Sequence, residues 1–174
     1  MRTVTYGGAV SLDGYLARAD HAVDWLMWCD EAAAVTTGYW TTVDTVLMGR
    51  KTYEAAVRNG MGGSSPGMAG YVFSRTLAED PAAGVTVVRE DAAEYVRGLK
   101  EQDGKGICLM GGGELAGVLF AAGLIDEVGL NVHPVLLGSG VPAFPPSFRQ
   151  TDLELKECRP FRNGCVYVIY RVRR

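Results

Sequence analysis

The chain has no apolar run long enough to cross a bilayer, so no membrane-spanning helix is expected. Its first residues, Met1-Arg2-Thr3-Val4, pass straight into strand-like sequence without the basic-then-apolar pattern of a signal peptide. Excess positive charge is missing too: the net charge is −3, and basic residues are scattered apart from a tail of Arg171, Arg173 and Arg174. Nucleic-acid binders show a basic stripe, so no nucleic-acid partner is expected and the tail reads as a solvated end. Only two histidines, His21 and His133, are present, too few for a histidine-rich metal site, and no metal is expected. Cys29, Cys108, Cys158 and Cys165 show no CxxC spacing, and two of them fall inside apolar strand-like runs. Buried, reduced thiols in a cytoplasmic protein follow as the expectation. No internal repeat is visible.

What is present suits one globular domain covering residues 1–174, with 48% hydrophobic and 21% charged residues. Thr3 to Leu12 reads as a first strand, left through the turn Ser11-Leu12-Asp13-Gly14-Tyr15. From about Asp24 to Tyr39 the pattern is helical, with Trp28, Ala32, Val35 and Tyr39 on one face. Thr45 to Met48 is a second strand, followed by a short helix from about Arg50 to Arg58. Asn59 to Gly70, rich in Gly, Ser and Pro, reads as a flexible surface loop. Tyr71-Val72-Phe73 and Val85 to Val88 are further strands, and Asp91 with Glu94 has capping-box spacing for a helix turning Ala92, Tyr95, Val96 and Leu99 inward. Gly106 to Met110 is a strand, Glu114 to Ala122 a helix closed by Gly123, and Glu127 to Val135 a strand broken by Pro134. Leu153 to Cys158 and Cys165 to Val172 alternate and are joined through Asn163-Gly164, a hairpin signal. The whole predicts an α/β fold, its sheet mainly parallel with a C-terminal antiparallel hairpin at one edge.

The segment Val46-Leu47-Met48-Gly49-Arg50-Lys51-Thr52-Tyr53-Glu54 carries most information about function. A strand stops at a glycine and runs directly into a helix, whose free N–H groups and dipole favour an anion. Arg50 and Lys51 add charge and Thr52 a hydroxyl. Leu109-Met110-Gly111-Gly112-Gly113-Glu114-Leu115 repeats the arrangement. Two anion sockets at strand ends suggest a dinucleotide spread across a sheet edge, and Ser74-Arg75-Thr76 is a third polar strand end that can converge with them. Gly111-x-Gly113-x-x-Ala116 also fits a Rossmann fingerprint loosely, but it comes late in the chain, and Asn131 stands about twenty positions on where that fingerprint needs an acid.

Together with Ser11-Leu12-Asp13-Gly14 and Asp24-Trp25-Leu26, these segments resemble the dihydrofolate reductase-like superfamily, and within it the riboflavin-biosynthesis branch represented by the RibD C-terminal domain. The similarity runs nearly end to end, to His133-Pro134-Val135-Leu136-Leu137-Gly138. The resemblance implies a three-layer fold, a homodimer, and NADPH as the cofactor of a reductase acting on a small heterocyclic, pyrimidine- or pterin-like substrate. It implies that Gly49, Arg50, Lys51, Thr52, Ser74, Arg75 and Thr76 hold the adenosine phosphates, the 2′-phosphate included. Gly111, Gly112, Gly113, Glu114 and Leu115 would receive the pyrophosphate, with Ala9 and Val10 beside the nicotinamide. A guanidinium can grip a phosphate bidentately, which favours NADPH over NADH.

On the substrate side, Asp13 is the carboxylate at the mouth of the sheet, though Asp-Gly is also turn chemistry. Trp25 and Asp30 have the Trp-to-acid spacing that dihydrofolate reductases use around their proton-donating acid. Asp13 and Asp30 are therefore the candidate catalytic acids, and Trp25 and Tyr53 the candidate substrate contacts. Reductases of the riboflavin pathway commonly carry a basic residue after Ser-Leu-Asp-Gly, where this chain has Tyr15 and Leu16, so the substrate stays open. A nucleotide-binding module without turnover is the alternative from another class.

Overall fold

The computed structural model describes residues 1–60, 67–79, 84–146 and 148–173. Eight strands form one sheet in the order β5-β4-β3-β6-β1-β7-β10-β9. They are β1 (Val4–Ser11), β3 (Val43–Gly49), β4 (Ala69–Phe73), β5 (Val85–Val88), β6 (Gly106–Met110), β7 (Glu127–His133), β9 (Leu153–Pro160) and β10 (Val166–Val172). The six strands from β5 to β7 run parallel, whereas β10 is antiparallel to both β7 and β9. The expected parallel sheet with a C-terminal hairpin at one edge is therefore the observed one.

Strands covered on both faces must be apolar on both, which is why residues 46–48 of β3 and 107–110 of β6 read as hydrophobic runs. Leu47, Ile107 and Leu109 turn to one face. There they pack with Val96 and Leu99 of α3 (Ala92–Glu101) and with Ala116 and Leu119 of α4 (Gly113–Ala121). Val46, Met48 and Cys108 turn to the other, against Tyr39 and Trp40 of α1 (Asp30–Trp40) and Tyr53 of α2 (Arg50–Arg58). Helices, sheet and helices make three layers.

Several element boundaries differ from expectation. The first helix begins at Asp30, because Cys29 is extended and its sulfur accepts the Ala32 N–H. The stretch before it is irregular: Leu26 turns back to Val23, and the Met27 N–H donates to His133 Nδ1, a partner distant in sequence. Trp28, expected on the buried helix face, is 69% exposed. Of the expected loop Asn59 to Gly70, residues 61–66 lie outside the described residues, and Ala69 and Gly70 already belong to β4. The strand expected to reach Val135 ends at His133. A small antiparallel pair, β2 (Tyr15–Ala17) with β8 (Val141–Pro142), was not expected at all. Of the cysteines, Cys108 and Cys165 are buried and all four are free thiols, but Cys158 is exposed on the edge strand β9.

Candidate active site

All six parallel strands point their carboxyl ends to one edge of the sheet, and the expected anion-binding residues gather there. β3 and β6 are neighbours, with Met48 beside Met110. The starts of α2 and α4, which follow them, therefore stand side by side. Gly111 (φ 54°) and Gly112 (φ 65°) are left-handed, a backbone that residues with a Cβ adopt at a cost. A Cβ on Gly111 would lie 2.9 Å from Thr52 Oγ1, and one on Gly112 would lie 3.5 Å from the same oxygen and 3.9 Å from the Gly49 nitrogen. These contacts show how closely the two turns approach.

The caps set these two helices apart. Cys29 caps α1, and Asp91 caps α3 by accepting the Ala93 and Glu94 N–H groups, as its spacing predicted. Neither α2 nor α4 has a side-chain cap: their N-cap residues are Gly49 and Gly112. First-turn N–H groups have no partner within their own helix and need one from outside. Two such sets, adjacent and without a capping side chain among the described residues, are suited to receive an anion on backbone N–H groups. The third glycine serves differently. A Cβ on buried Gly113 would sit 2.9 Å from both Pro142 O and Pro145 Cδ, so this position lets α4 pack against the loop after β8.

Around the socket, Lys51 is exposed and Thr52 half-buried, while Arg50 leans along its own helix to Glu54 at 3.0 Å. Glu114 is exposed on the first turn of α4, and Leu115 packs toward the core. At the end of β4, Ser74 Oγ accepts the Thr76 and Leu77 N–H groups, which builds a tight turn with Arg75 and Thr76 exposed on it. Next to it stands a residue the sequence did not flag. Arg89, directly after β5, donates to Glu79 Oε1 at 2.6 Å and to Leu77 O at 3.0 Å. No motif marks it; the available signal was its position, first after a parallel strand on the shared edge.

Ala9 lies where the sheet opens. β6 accompanies β1 only as far as Gly7, paired with Met110, while β7 follows β1 on to Ser11. Beyond Gly7, β1 therefore faces a gap that ends at Gly111. Val10 is buried on the other face from Ala9. Tyr53, in the first turns of α2, packs against the cluster of Met48 and Met110.

On the far side of that gap, His133 is buried and edge-on to Trp25, with ring centroids 5.3 Å apart. His133 Nδ1 accepts the Met27 N–H at 3.2 Å, and Nε2 faces the Asn131 side-chain amide at 3.2 Å. Burial lowers the His133 pKa and keeps the ring neutral. Trp25 Nε1 and Asn131 Oδ1 are buried without a hydrogen-bond partner among the described residues.

The two candidate acids differ sharply. Asp13 takes a hydrogen bond from Ser11 Oγ at 2.6 Å, from Gly138 N at 2.7 Å and from Leu137 N at 3.1 Å. The Ser11 bond and the two backbone bonds lower its pKa and hold it ionised. Asp30 is exposed as the first residue of α1, next to Cys29, which packs in the cluster of Cys165. Cys165 in turn lies 3.4 Å from His133 Nδ1, so Asp30 belongs to the same end of the sheet. Elsewhere, a groove of about 1070 Å³ opens between α1 and β9–β10 over the beginnings of the strands, and no expected site residue lines it. Among the described residues no group of His, Cys, Asp and Glu side chains could hold a metal ion, and no helix is long and apolar enough to cross a membrane.

A three-layer fold around a mostly parallel sheet, with two glycine-bordered helix starts at its carboxyl edge, defines an α/β protein of reductase-like fold. Residues 2–167 match the RibD C-terminal domain, and the chain belongs to that family. It is 35% identical to the uncharacterized protein YwjB of Bacillus subtilis over 161 residues, covering 92% of each chain. Its fold matches a candidate riboflavin biosynthesis protein of Shewanella sp. PV-4, with TM-score 0.84, 23% identity and 99% of both chains covered. It also matches the Thermotoga maritima diaminohydroxyphosphoribosylaminopyrimidine deaminase/5-amino-6-(5-phosphoribosylamino)uracil reductase, with TM-score 0.73 and 16% identity, covering 99% of this chain and 57% of that one. The fold is that of the RibD-like reductases. The Rossmann alternative fails on topology: the glycine turn follows β6, which lies between β3 and β1, rather than the first strand of the sheet.

Proposed function

We propose that the protein is an NADPH-dependent reductase of a small heterocycle, pyrimidine- or pterin-like. The observation that carries this reading is the pair of helices without side-chain caps whose N-termini meet at Gly49 and Gly111–Gly112. Their N–H groups would take the pyrophosphate, since glycine lets a ligand reach the backbone there. Arg50, Lys51 and Thr52 would border it, and Ser74, Arg75 and Thr76 would take the 2′-phosphate of the adenosine. Arg50 must share its guanidinium with Glu54, which costs little for an exposed pair. Ala9, at the gap between β1 and β6, is then the neighbour of the nicotinamide.

NADPH supplies a hydride, to a C=N or C=O group of the substrate. The chain supplies the proton and the positioning. A general acid must carry a proton at working pH, and Asp13 is held ionised by three donors. We therefore assign Asp13 to anchoring the loop after β7, and Asp30, exposed at the start of α1, to orienting the water that would deliver the proton. Trp25 and Tyr53 border the substrate. Homodimeric assembly in the cytoplasm belongs to the same proposal.

Calorimetric titration with NADPH and NADH tests the cofactor. A charge-assisted contact is worth about 1.5–3 kcal/mol, so loss of the 2′-phosphate weakens binding by about tenfold or more. Equal dissociation constants refute the role of the arginines. NADPH oxidation across a panel of pterins and pyrimidines then tests turnover, and binding without oxidation of any substrate identifies a nucleotide-binding module instead.

A further inference from the structure

Arg89 and Glu79 stand at the same edge as the cofactor residues, yet the reading above gives them nothing to do. β4 and β5 run in register, Phe73 beside Val88, and the Ser74 N–H donates to Val88 O at 3.0 Å. Arg89 is thus the next residue across from Ser74. Its guanidinium reaches over the Ser74–Leu77 turn and bonds Leu77 O with one nitrogen and Glu79 with the other. Ser74 Oγ spends its lone pairs on Thr76 and Leu77 N–H groups, which leaves its O–H to donate outward. Arg75 is exposed on the same turn. One hydroxyl donor and two guanidinium groups therefore surround a four-residue turn, and the anion in contact with Arg89 is the carboxylate of Glu79.

We propose that Arg89 is a specificity-determining residue for the 2′-phosphate and that Glu79 is its built-in competitor. The inference rests on the cofactor reading above and deepens it. The Glu79 carboxylate occupies Arg89 as a phosphate oxygen would. A guanidinium has five N–H donors, and two of them meet partners among the described residues, so Arg89 can receive a phosphate while it still holds Leu77 O. Glu79 is largely exposed, and an exposed ion pair is weak, so a phosphate dianion displaces it at small cost. The bond to Leu77 O is separate: it stiffens the turn that presents Ser74 and Arg75.

The test is a set of dissociation constants for NADPH, NADH and adenosine 2′-monophosphate, measured by calorimetry on the full chain and on Glu79→Gln and Arg89→Gln. Glu79→Gln removes the competitor and one repelling charge, and is expected to tighten NADPH and the 2′-monophosphate about three- to fivefold. NADH should stay within about twofold, and the gain should fade at high salt. Arg89→Gln is expected to weaken NADPH by about tenfold or more and NADH far less. Glu79→Gln leaves the turn's own hydrogen bonds in place, so it remains decisive if Arg89→Gln loosens that turn. Unchanged NADPH affinity in Glu79→Gln, or equal shifts for NADPH and NADH in both variants, overturns the assignment of Arg89 while the cofactor reading stands. Failure of the unaltered protein to bind either nucleotide overturns both.

Discussion

Replacing Gly111 with alanine tests the crowded junction between the two glycine-bordered helix starts. The position has φ 54°, so any L-residue there pays for a left-handed backbone, about 1–2 kcal/mol. The new Cβ would also meet Thr52 Oγ1 at 2.9 Å and Thr52 Cγ2 at 3.0 Å. Overpacking of that kind costs about 1–3 kcal/mol when the neighbour is held. Thr52 sits in the first turn of α2, where the helix backbone limits its retreat. The sum, about 2–5 kcal/mol, lies below the usual stability of a domain, so the variant folds with a lowered melting temperature. At about 2–4 °C per kcal/mol for a chain of this size, the drop is about 5–20 °C. Thr52→Ala removes both clashing atoms, so Gly111→Ala/Thr52→Ala should regain the packing share and keep only the backbone share. Urea unfolding of the four proteins gives that coupling, expected at about 1–3 kcal/mol. NADPH affinity should fall in both single variants and fail to recover in the double one, because Thr52 also loses its hydroxyl. Additive destabilisation, or a Gly111→Ala cost below about 0.5 kcal/mol, would refute the close approach of the two turns.

Asp13→Asn should alter the loop after β7 more than the chemistry: kcat falls less than tenfold, whereas Asp30→Asn lowers it about 10²–10⁴-fold with NADPH affinity nearly unchanged. The reverse order in steady-state assays would return the proton to Asp13. His133 gives a pH dependence: its folded pKa lies below the unfolded value near 6.5, so the unfolded chain binds the proton more readily. Its contribution to stability is complete above about pH 6.5 and is lost as the pH falls through that value toward the folded pKa. His133→Gln, which cannot titrate, should flatten this part of the urea midpoint profile, and an unchanged slope would count against it.

What was legible in the sequence was what local physics decides. Double-sided burial made residues 46–48 of β3 and 107–110 of β6 continuous apolar runs. Asp91 caps α3, Gly123 (φ 66°) closes α4, and Asn163-Gly164 joins β9 to β10, each by chemistry confined to a few residues. The start of α1 was hidden because the spacing of Trp28, Ala32 and Val35 suits a helix, while the Met27 N–H is claimed by His133, across more than a hundred residues. The β2–β8 pair was hidden by its length, three residues against two, too short to show a period. It is held closed where a Cβ on Gly140 would collide with the Ala17 carbonyl. The partners of Asp13 were likewise hidden. As Asp-Gly it looks like a turn, and as a lone carboxylate it looks catalytic, but its backbone partners, Leu137 and Gly138, lie more than a hundred residues on, in the connection after the neighbouring strand β7.

The two ends of the proposed site differ in kind. The cofactor end is largely backbone: glycines, helix starts and a Ser-turn, features that tolerate little variation because a Cβ at Gly111 would crowd Thr52 and Gly112 holds a left-handed backbone. The substrate end is side chain, and it is dominated by long-range contacts around His133. There Trp25 Nε1 and Asn131 Oδ1 are buried without partners among the described residues, each at a cost of about 1–3 kcal/mol. If His133 is neutral with Nδ1 accepting from Met27, its proton sits on Nε2 and requires the Asn131 oxygen opposite it. Turning the Asn131 amide satisfies that bond and leaves its NH₂ as the unpaired group. Trp25 and Asn131 then both present donors at the end of β7, the strand beside Ala9. Two donors next to the nicotinamide position call for acceptor atoms on the substrate, which a ring carbonyl or ring nitrogen supplies. On the proposed reading, substrate choice would reside in Trp25, Asn131 and the irregular segment that holds them, which is the part of the chain where sequence periodicity says least.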